Sequence, residues 1–226
     1  MTSRTALLVG ATGLVGGHCL DLLLADPRYA RVVVLARRAP DRDDDTLDVR
    51  VVDFDTLGTP DGVSLPPVDD VYCALGTTIA AAGSREAFYR VDHDYPVTVA
   101  RLAHAAGARR MALVSSIGAN TRAGNYYLRM KGETDRDVAA VGYECLEILR
   151  PGLLLGQRPR RRPKEAVASV VTRAAAPLLA GRLRAYRPVD ARQVAAAMIA
   201  ALARGEPGTH VRTFDDIAAV TTDRRG

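Results

Sequence analysis

The sequence predicts a doubly wound α/β fold built on a parallel sheet. Three observations carry that expectation: short apolar runs without polar alternation, longer amphipathic stretches between them, and a glycine cluster where the first run meets the first amphipathic stretch. Strands covered on both faces read as continuous apolar segments, and strands alternating with helices point to parallel βαβ units. Thr5-Ala6-Leu7-Leu8-Val9 is the first strand, followed by a helix from about Leu14 to Ala25. Arg31–Ala36, Asp48–Val52 and Asp70–Leu75 are the second, third and fourth strands. One long helix is expected from about Arg85 to Ala106, then a fifth strand at Arg110–Ser115. A helix from about Tyr126 to Val141 precedes a sixth strand at Glu144–Leu149. Right-handed crossovers leave few topologies for such a series, and the dinucleotide-binding order leads. After Pro151 the texture changes to a proline- and arginine-rich segment, helical stretches near Glu165–Leu179 and Ala191–Arg204, and a short strand at His210–Thr213. Residues 151–226 are therefore read as a small C-terminal cap on the substrate side, within a single domain spanning 1–226.

Composition narrows the function. A chain of 226 residues buries enough surface to fold without disulfides or metal. Cys19, Cys73 and Cys145 lie far apart in apolar runs and read as buried thiols, while His18, His93, His104 and His210 form no ligand spacing, so no metal is expected. No run approaches the roughly 18 apolar residues of a membrane span. The opening MTSRTALLVG is already a strand reaching a glycine turn rather than a signal peptide, and a cytoplasmic protein is the expectation. The net charge of +5 equals the five cations of Arg158–Lys164, leaving the rest formally neutral. With aromatics at 5% and no tryptophan, nucleic acid is not the expected partner. A small-molecule substrate is. Arginine dominates the cations, so Lys131, one of only two lysines, stands out.

The chemistry begins at Gly10-Ala11-Thr12-Gly13-Leu14-Val15-Gly16, a GxxGxxG between first strand and first helix. The first glycine serves the tight turn, the second a close approach to a pyrophosphate, and the third the packing of helix on strand. The helix N-terminus behind them offers N–H groups and a positive dipole end to phosphate. Arg37 and Arg38 end the second strand, where an acidic residue would hold a ribose hydroxyl and arginine suits a 2′-phosphate, which favours NADP(H) over NAD(H). Asp53 and Phe54 follow the third strand, where a carboxylate at the first place can accept from an adenine amino group, and Leu75, Gly76 and Thr77 close the fourth; taken alone these segments read as ordinary turns.

Tyr127-Leu128-Arg129-Met130-Lys131 decides the reaction class. Residues four apart share a helix face, so phenol and ammonium reach one pocket. A free tyrosine titrates near about 10, and a neighbouring ammonium favours its phenolate, suiting it to exchange a proton with a carbonyl or alcohol oxygen. Ser115-Ser116 ends the fifth strand, eleven residues before the tyrosine when counted from Ser116, where a hydroxyl can hold that oxygen.

GATGLVG, LARR, VVDFD, CALGTT, VDHDYP, LVSSIGAN, YLRMKGE and LRPGLLLG, in that order over about two-thirds of the chain, resemble the short-chain dehydrogenase/reductase superfamily. The likeness is to its atypical NAD(P)-binding branch, in particular the Tat-interacting oxidoreductase group and its bacterial relatives. That resemblance implies a Rossmann fold. It implies that Gly10, Thr12, Gly13, Leu14, Val15 and Gly16 surround the pyrophosphate, Arg37 and Arg38 the 2′-phosphate, and Asp53 and Phe54 the adenine. Leu75, Gly76 and Thr77 would line the cofactor path, and Pro151, in Arg150-Pro151-Gly152, would belong to a loop over the nicotinamide. Ser116, or else Ser115, would hold the substrate oxygen, Tyr127 act as acid/base, and Lys131 bind the nicotinamide ribose. Val91-Asp92-His93 departs from the Val-Asn that related proteins often show in the helix after the fourth strand. Helix-mediated dimers are common in the superfamily, and a homodimer is compatible with the resemblance. The expected function is an NADP(H)-dependent oxidoreductase acting on a small carbonyl or alcohol. The alternatives are an NADP(H)-binding regulatory or assembly protein with little turnover, and an epimerase or dehydratase using the same apparatus.

Overall fold

The computed structural model describes residues 3–60, 62–156 and 186–222. In chain order the elements are β1 (Arg4–Val9), α1 (Leu14–Leu24), β2 (Tyr29–Ala36), β3 (Leu47–Val51), β4 (Asp70–Cys73), α2 (Ile79–Ala82), α3 (Arg85–Tyr89), a π-helical turn at Arg90–Asp94, α4 (Tyr95–Ala105), β5 (Arg110–Val114), α5 (Tyr126–Ala139), β6 (Cys145–Leu149), β7 (Leu154–Leu155), β8 (Val189–Asp190), α6 (Ala191–Arg204), β9 (Gly208–Arg212) and α7 (Phe214–Thr222). Seven of the strands form one parallel sheet in the order β3-β2-β1-β4-β5-β6-β9, and β7 and β8 pair separately.

The doubly wound architecture follows from the two-residue period of the strands. Ala6 and Leu8 of β1, with Val32, Val34 and Ala36 of β2, join one core, and α1 and α6 cover it with Leu20, Leu23, Val194 and Met198. Their neighbours Leu7, Val9, Val33 and Leu35 point the other way into a second core, under Val97, Ala100 and Ala103 of α4 and Val138 of α5. Both faces are thus apolar, which is why alternation is missing from the sequence.

The expected long helix after the fourth strand is interrupted. Arg90–Asp94 forms a π turn between α3 and α4, and the short α2 precedes them. Of the stretch after Pro151, α6 matches its expected span and carries a capping box from Asp190 and Gln193. The expected strand near His210 becomes β9 and pairs with β6. Arg212 of β9 binds the fully buried Glu147 of β6 at 2.8 Å and also reaches Glu206 at 2.7 Å. His210 lies near those carboxylates, but both already carry the guanidinium, so the group reads as an ion-pair tie on the edge strand. The expected helix near Glu165–Leu179 and the basic segment Arg158–Lys164 lie outside the described residues.

Polar groups at the N-terminal edge of the sheet are structural. Fully buried Asp70 takes Arg110 through both oxygens at 2.6 and 2.7 Å and accepts from the Tyr29 hydroxyl, which also meets the Tyr72 hydroxyl. The opposite edge, where the C-terminal strand ends meet the loops, gathers the residues singled out for chemistry.

Candidate active site

The sheet order reverses between β1 and β4, and ligands of open α/β sheets bind at the crevice this leaves. The glycine turn sits there. Gly10 has φ of +89°, and a Cβ on it would stand 2.5 Å from the Ala74 carbonyl oxygen of the neighbouring strand end. A Cβ on Gly16 would stand 1.9 Å from the Gly10 carbonyl oxygen. Only glycine lets the turn close onto α1 and β4 in this way. The N-cap of α1 is Gly13, which offers no side-chain acceptor, and the first turn carries no carboxylate. A helix end left this way suits an anion. Thr12 and Gly13 are exposed on the turn, Leu14 is half-buried, and Val15 points into the core, so Val15 can meet a ligand only through its backbone.

Arg37 and Arg38 are exposed just past β2. A cleft of about 230 Å³ is lined by Arg37, Thr77, Arg90, Val91 and Tyr95 among others, and Arg38 is not among its walls. Phe54 is buried against Tyr95, with ring centroids 5.3 Å apart, so it shapes this end from beneath. The Asp53 carboxylate accepts the Asp55 N–H at 3.0 Å. Asp55 itself accepts from the Tyr95 hydroxyl at 2.6 Å and pairs with Arg90 at 3.4 Å. Arg90, at the start of the π turn, lines the same cleft as Arg37, and the sequence reading does not single it out.

The α5 helix presents Tyr127 and Lys131 as the four-residue spacing requires, its N-terminus capped by the Asn125 side chain on the Leu128 N–H. Tyr127 is half-buried, its ring 5.9 Å from that of Phe88 and its phenol within electrostatic reach of the Lys131 ammonium. Lys131 is buried, with its Nζ 2.7 Å from Asp92 Oδ1. Burial works against the ammonium, yet the Asp92 carboxylate and then the Tyr127 phenol outweigh it, so Lys131 titrates above its ordinary value. The second Asp92 oxygen accepts the Thr77 N–H at 2.7 Å. Asp92, a departure from pattern in the sequence, is therefore the immediate partner of Lys131.

The two serines separate. Ser116 is partly exposed and makes only a long 3.4 Å contact to the Ile117 carbonyl, leaving its hydroxyl for a ligand. Ser115 is buried, with its hydroxyl beside the Asp135 carboxylate. Asp135 binds Arg150 through Oδ2 at 2.9 Å, and burial raises its carboxyl above the usual range against the opposing pull of Ser115 and Arg150. Pro151 is buried, and its carbonyl accepts the Ile117 N–H at 2.9 Å, joining the β5 and β6 loops. Leu75 packs partly buried against the second core and a Cβ on Gly76 would stand 3.5 Å from Asp92 Oδ1, and neither is among the walls of the cleft that Thr77 lines.

Gly132, also outside the sequence reading, lets the loop after β5 reach α5. A Cβ there would meet the Asn120 and Thr121 backbone at 2.4 to 2.6 Å. Gly132→Ala is expected to lower stability by about 2 kcal/mol, because backbone on both sides must move. Thermal unfolding checks this, and a shift below about 2 °C would show that the loop yields freely.

The sequence model of the NAD dependent epimerase/dehydratase family matches residues 6–215. Protein fmp52, mitochondrial, of Emericella nidulans is 42% identical over 166 residues, 71% of each chain. Its counterpart in Coccidioides immitis is 34% identical over 208 residues, 87% of this chain and 85% of the relative. Among solved structures, MoeE5 in complex with UDP-glucuronic acid and NAD superposes with a TM-score of 0.68 at 20% identity, covering 92% of this chain and 75% of that one. A UDP-N-acetylglucosamine 4-epimerase from Methanobrevibacter ruminantium M1 gives 0.68 at 14% identity, covering 94% and 77%. At such identities these two show the fold, and that fold is the expected Rossmann type. The mitochondrial names of the sequence relatives overturn the expectation of a cytoplasmic protein. The expectation rested on composition and the first ten residues, and neither determines a compartment. Among the described residues no helix is long and apolar enough to cross a membrane. With its glycine turn at the switch point and tyrosine and lysine on one helix face, the chain belongs to the NAD-dependent epimerase/dehydratase family, within the short-chain dehydrogenase/reductase class.

Proposed function

We propose that the protein is an NADP(H)-dependent oxidoreductase acting on a small carbonyl or alcohol. The observation that carries this reading is the pairing of a half-buried tyrosine with a buried, charged lysine one helical turn away, at the sheet edge that holds the glycine turn. The bound nicotinamide supplies or accepts hydride. The protein's own residues do the rest. Ser116 holds the substrate oxygen by its hydroxyl, Tyr127 gives that oxygen a proton in reduction or takes one in oxidation, and Lys131 holds the ribose. Gly10, Gly13 and Gly16 admit the pyrophosphate to the N-terminus of α1.

The preference for NADP(H) rests on the cleft between Arg37 and Arg90. At about 230 Å³ it suits one segment of a dinucleotide, such as a phosphorylated ribose, rather than a whole cofactor. Two guanidinium groups on its walls favour a dianion. Titration followed by nicotinamide fluorescence is expected to show NADPH binding at least about tenfold tighter than NADH, with Arg37→Ala erasing most of that difference. Equal binding of the two nucleotides by the unmodified protein would remove the NADP(H) preference and leave the dehydrogenase chemistry in place.

Family membership supports a second reading, an epimerase or dehydratase, because the same tyrosine and lysine serve a transient oxidation. The two separate cleanly. A reductase oxidises NADPH in proportion to the carbonyl consumed, whereas an epimerase or dehydratase converts its substrate with no net change in nicotinamide absorbance.

A further inference from the structure

Two donors converge on one buried side chain in this site. The Lys131 ammonium meets Asp92 Oδ1 and the Thr77 N–H meets Asp92 Oδ2, each at 2.7 Å, with the Asp92 side chain 1% and the Lys131 side chain 6% exposed. The Asp92 backbone is pinned as well. Its carbonyl accepts the Thr134 hydroxyl at 3.1 Å, and that hydroxyl also bonds the Met130 carbonyl. The π turn is thus joined to α5 at Lys131 and again at Thr134. A carboxylate provides an acceptor to each donor, whereas an amide has one acceptor and would turn its NH₂ toward the other donor.

We propose that Asp92 is a positioning residue for the reaction: its carboxylate keeps the buried Lys131 charged and in place for the nicotinamide ribose, and an asparagine cannot do this here. The inference rests on the cofactor reading above and concerns the same site. A buried ammonium needs a counter-charge, because removing one partner of a buried pair leaves the other's desolvation unopposed. Among the described residues, the other groups facing Lys131 act on it less than Asp92 does. Tyr127 and Asp135 lie one turn away on its own helix, and Asp135 is already bound by Arg150. Cys73 of β4 is a thiol that burial pushes up to about 11, so it stays neutral. With one ammonium proton directed at Asp92, two remain for a ribose and for the tyrosine. The Thr77 bond fixes the end of β4 to the same carboxylate, so the lysine and the loop along the cofactor path share one anchor.

The test is NADPH affinity against pH from about 7 to about 9, an interval in which an ordinary lysine keeps its proton. The unmodified protein is expected to bind with a flat profile. In Asp92→Asn the lysine loses its counter-charge, burial lowers its pKa, and it sheds its proton as pH rises. Affinity should then fall on the order of tenfold across the interval. Lys131→Met is expected to be weak by a similar factor at every pH. A flat Asp92→Asn profile overturns the inference, since a purely structural loss has no reason to follow pH. Should Asp92→Asn not fold, the double variant Asp92→Asn/Lys131→Met is compared with Lys131→Met alone. Equal affinities support action through the lysine, and a weaker double variant overturns it. If Lys131→Met binds as well as the unmodified protein, the inference fails while the cofactor reading stands. If the unmodified protein binds no nucleotide, both fail.

Discussion

A Gly16→Ala chain is expected to lose nucleotide affinity on the order of a hundredfold and to unfold at a lower temperature. The reason is a single distance. The added methyl would lie 1.9 Å from the Gly10 carbonyl oxygen, far inside any contact distance, and the obstacle is backbone that no side-chain rotation relieves. Either the turn opens away from α1 or the helix slides off β1, and both displace the N–H groups that face the phosphates. The strain should cost about 2–4 kcal/mol, or roughly 4–16 °C in melting temperature for a domain of this size. Fluorescence titration with NADPH and NADH, together with thermal unfolding, checks it. Affinity for both nucleotides should fall together, because the pyrophosphate is common to them. An alanine variant that binds within about threefold of the unmodified protein would place the dinucleotide elsewhere in the molecule.

The second large effect separates chemistry from binding. Tyr127→Phe is expected to reduce turnover of any active carbonyl substrate by about 10²–10⁴, the usual contribution of a positioned proton donor. Phenylalanine keeps the ring against Phe88, so the fold and melting temperature should change little. Nucleotide affinity should stay within about twofold, since the phenol is assigned to the substrate oxygen. The experiment therefore reads as a split: turnover gone, binding kept. Retention of turnover within about tenfold would remove Tyr127 from proton transfer. Loss of nucleotide binding in the same variant would instead assign the phenol to the cofactor.

The origin of these two effects differs in how early each can be read. The strands were legible because each depends on neighbours in the chain: Leu7-Leu8-Val9 is apolar on both faces, and both faces are covered. The helix at Ala191–Arg204 was legible to its ends, since an Asp190 cap and a Gly205 stop are local signals. The glycine turn was legible for the same reason, although its tightness, a Cβ blocked at 1.9 Å, belongs to the packed structure. The long helix after β4 was read as continuous because no proline or glycine interrupts Arg90–Asp94, and its residues suit a helix. Its π turn accompanies contacts made across the fold, with the Asp92 carbonyl bound to Thr134 and the carboxylate to Lys131.

The sequence by itself determined a parallel α/β sheet, the place of the glycine turn and the shared helix face of Tyr127 and Lys131, all set by periodicities and turn chemistry within a few residues. Tertiary structure alone decided that Ser115 is buried while Ser116 is open, that Arg90 lines the same cleft as Arg37, and that Asp92 is the partner of Lys131. Those outcomes depend on which side chains meet when α5, the β4 loop and the π turn pack together. A buried ammonium is stable only against a counter-charge that the packing brings to it.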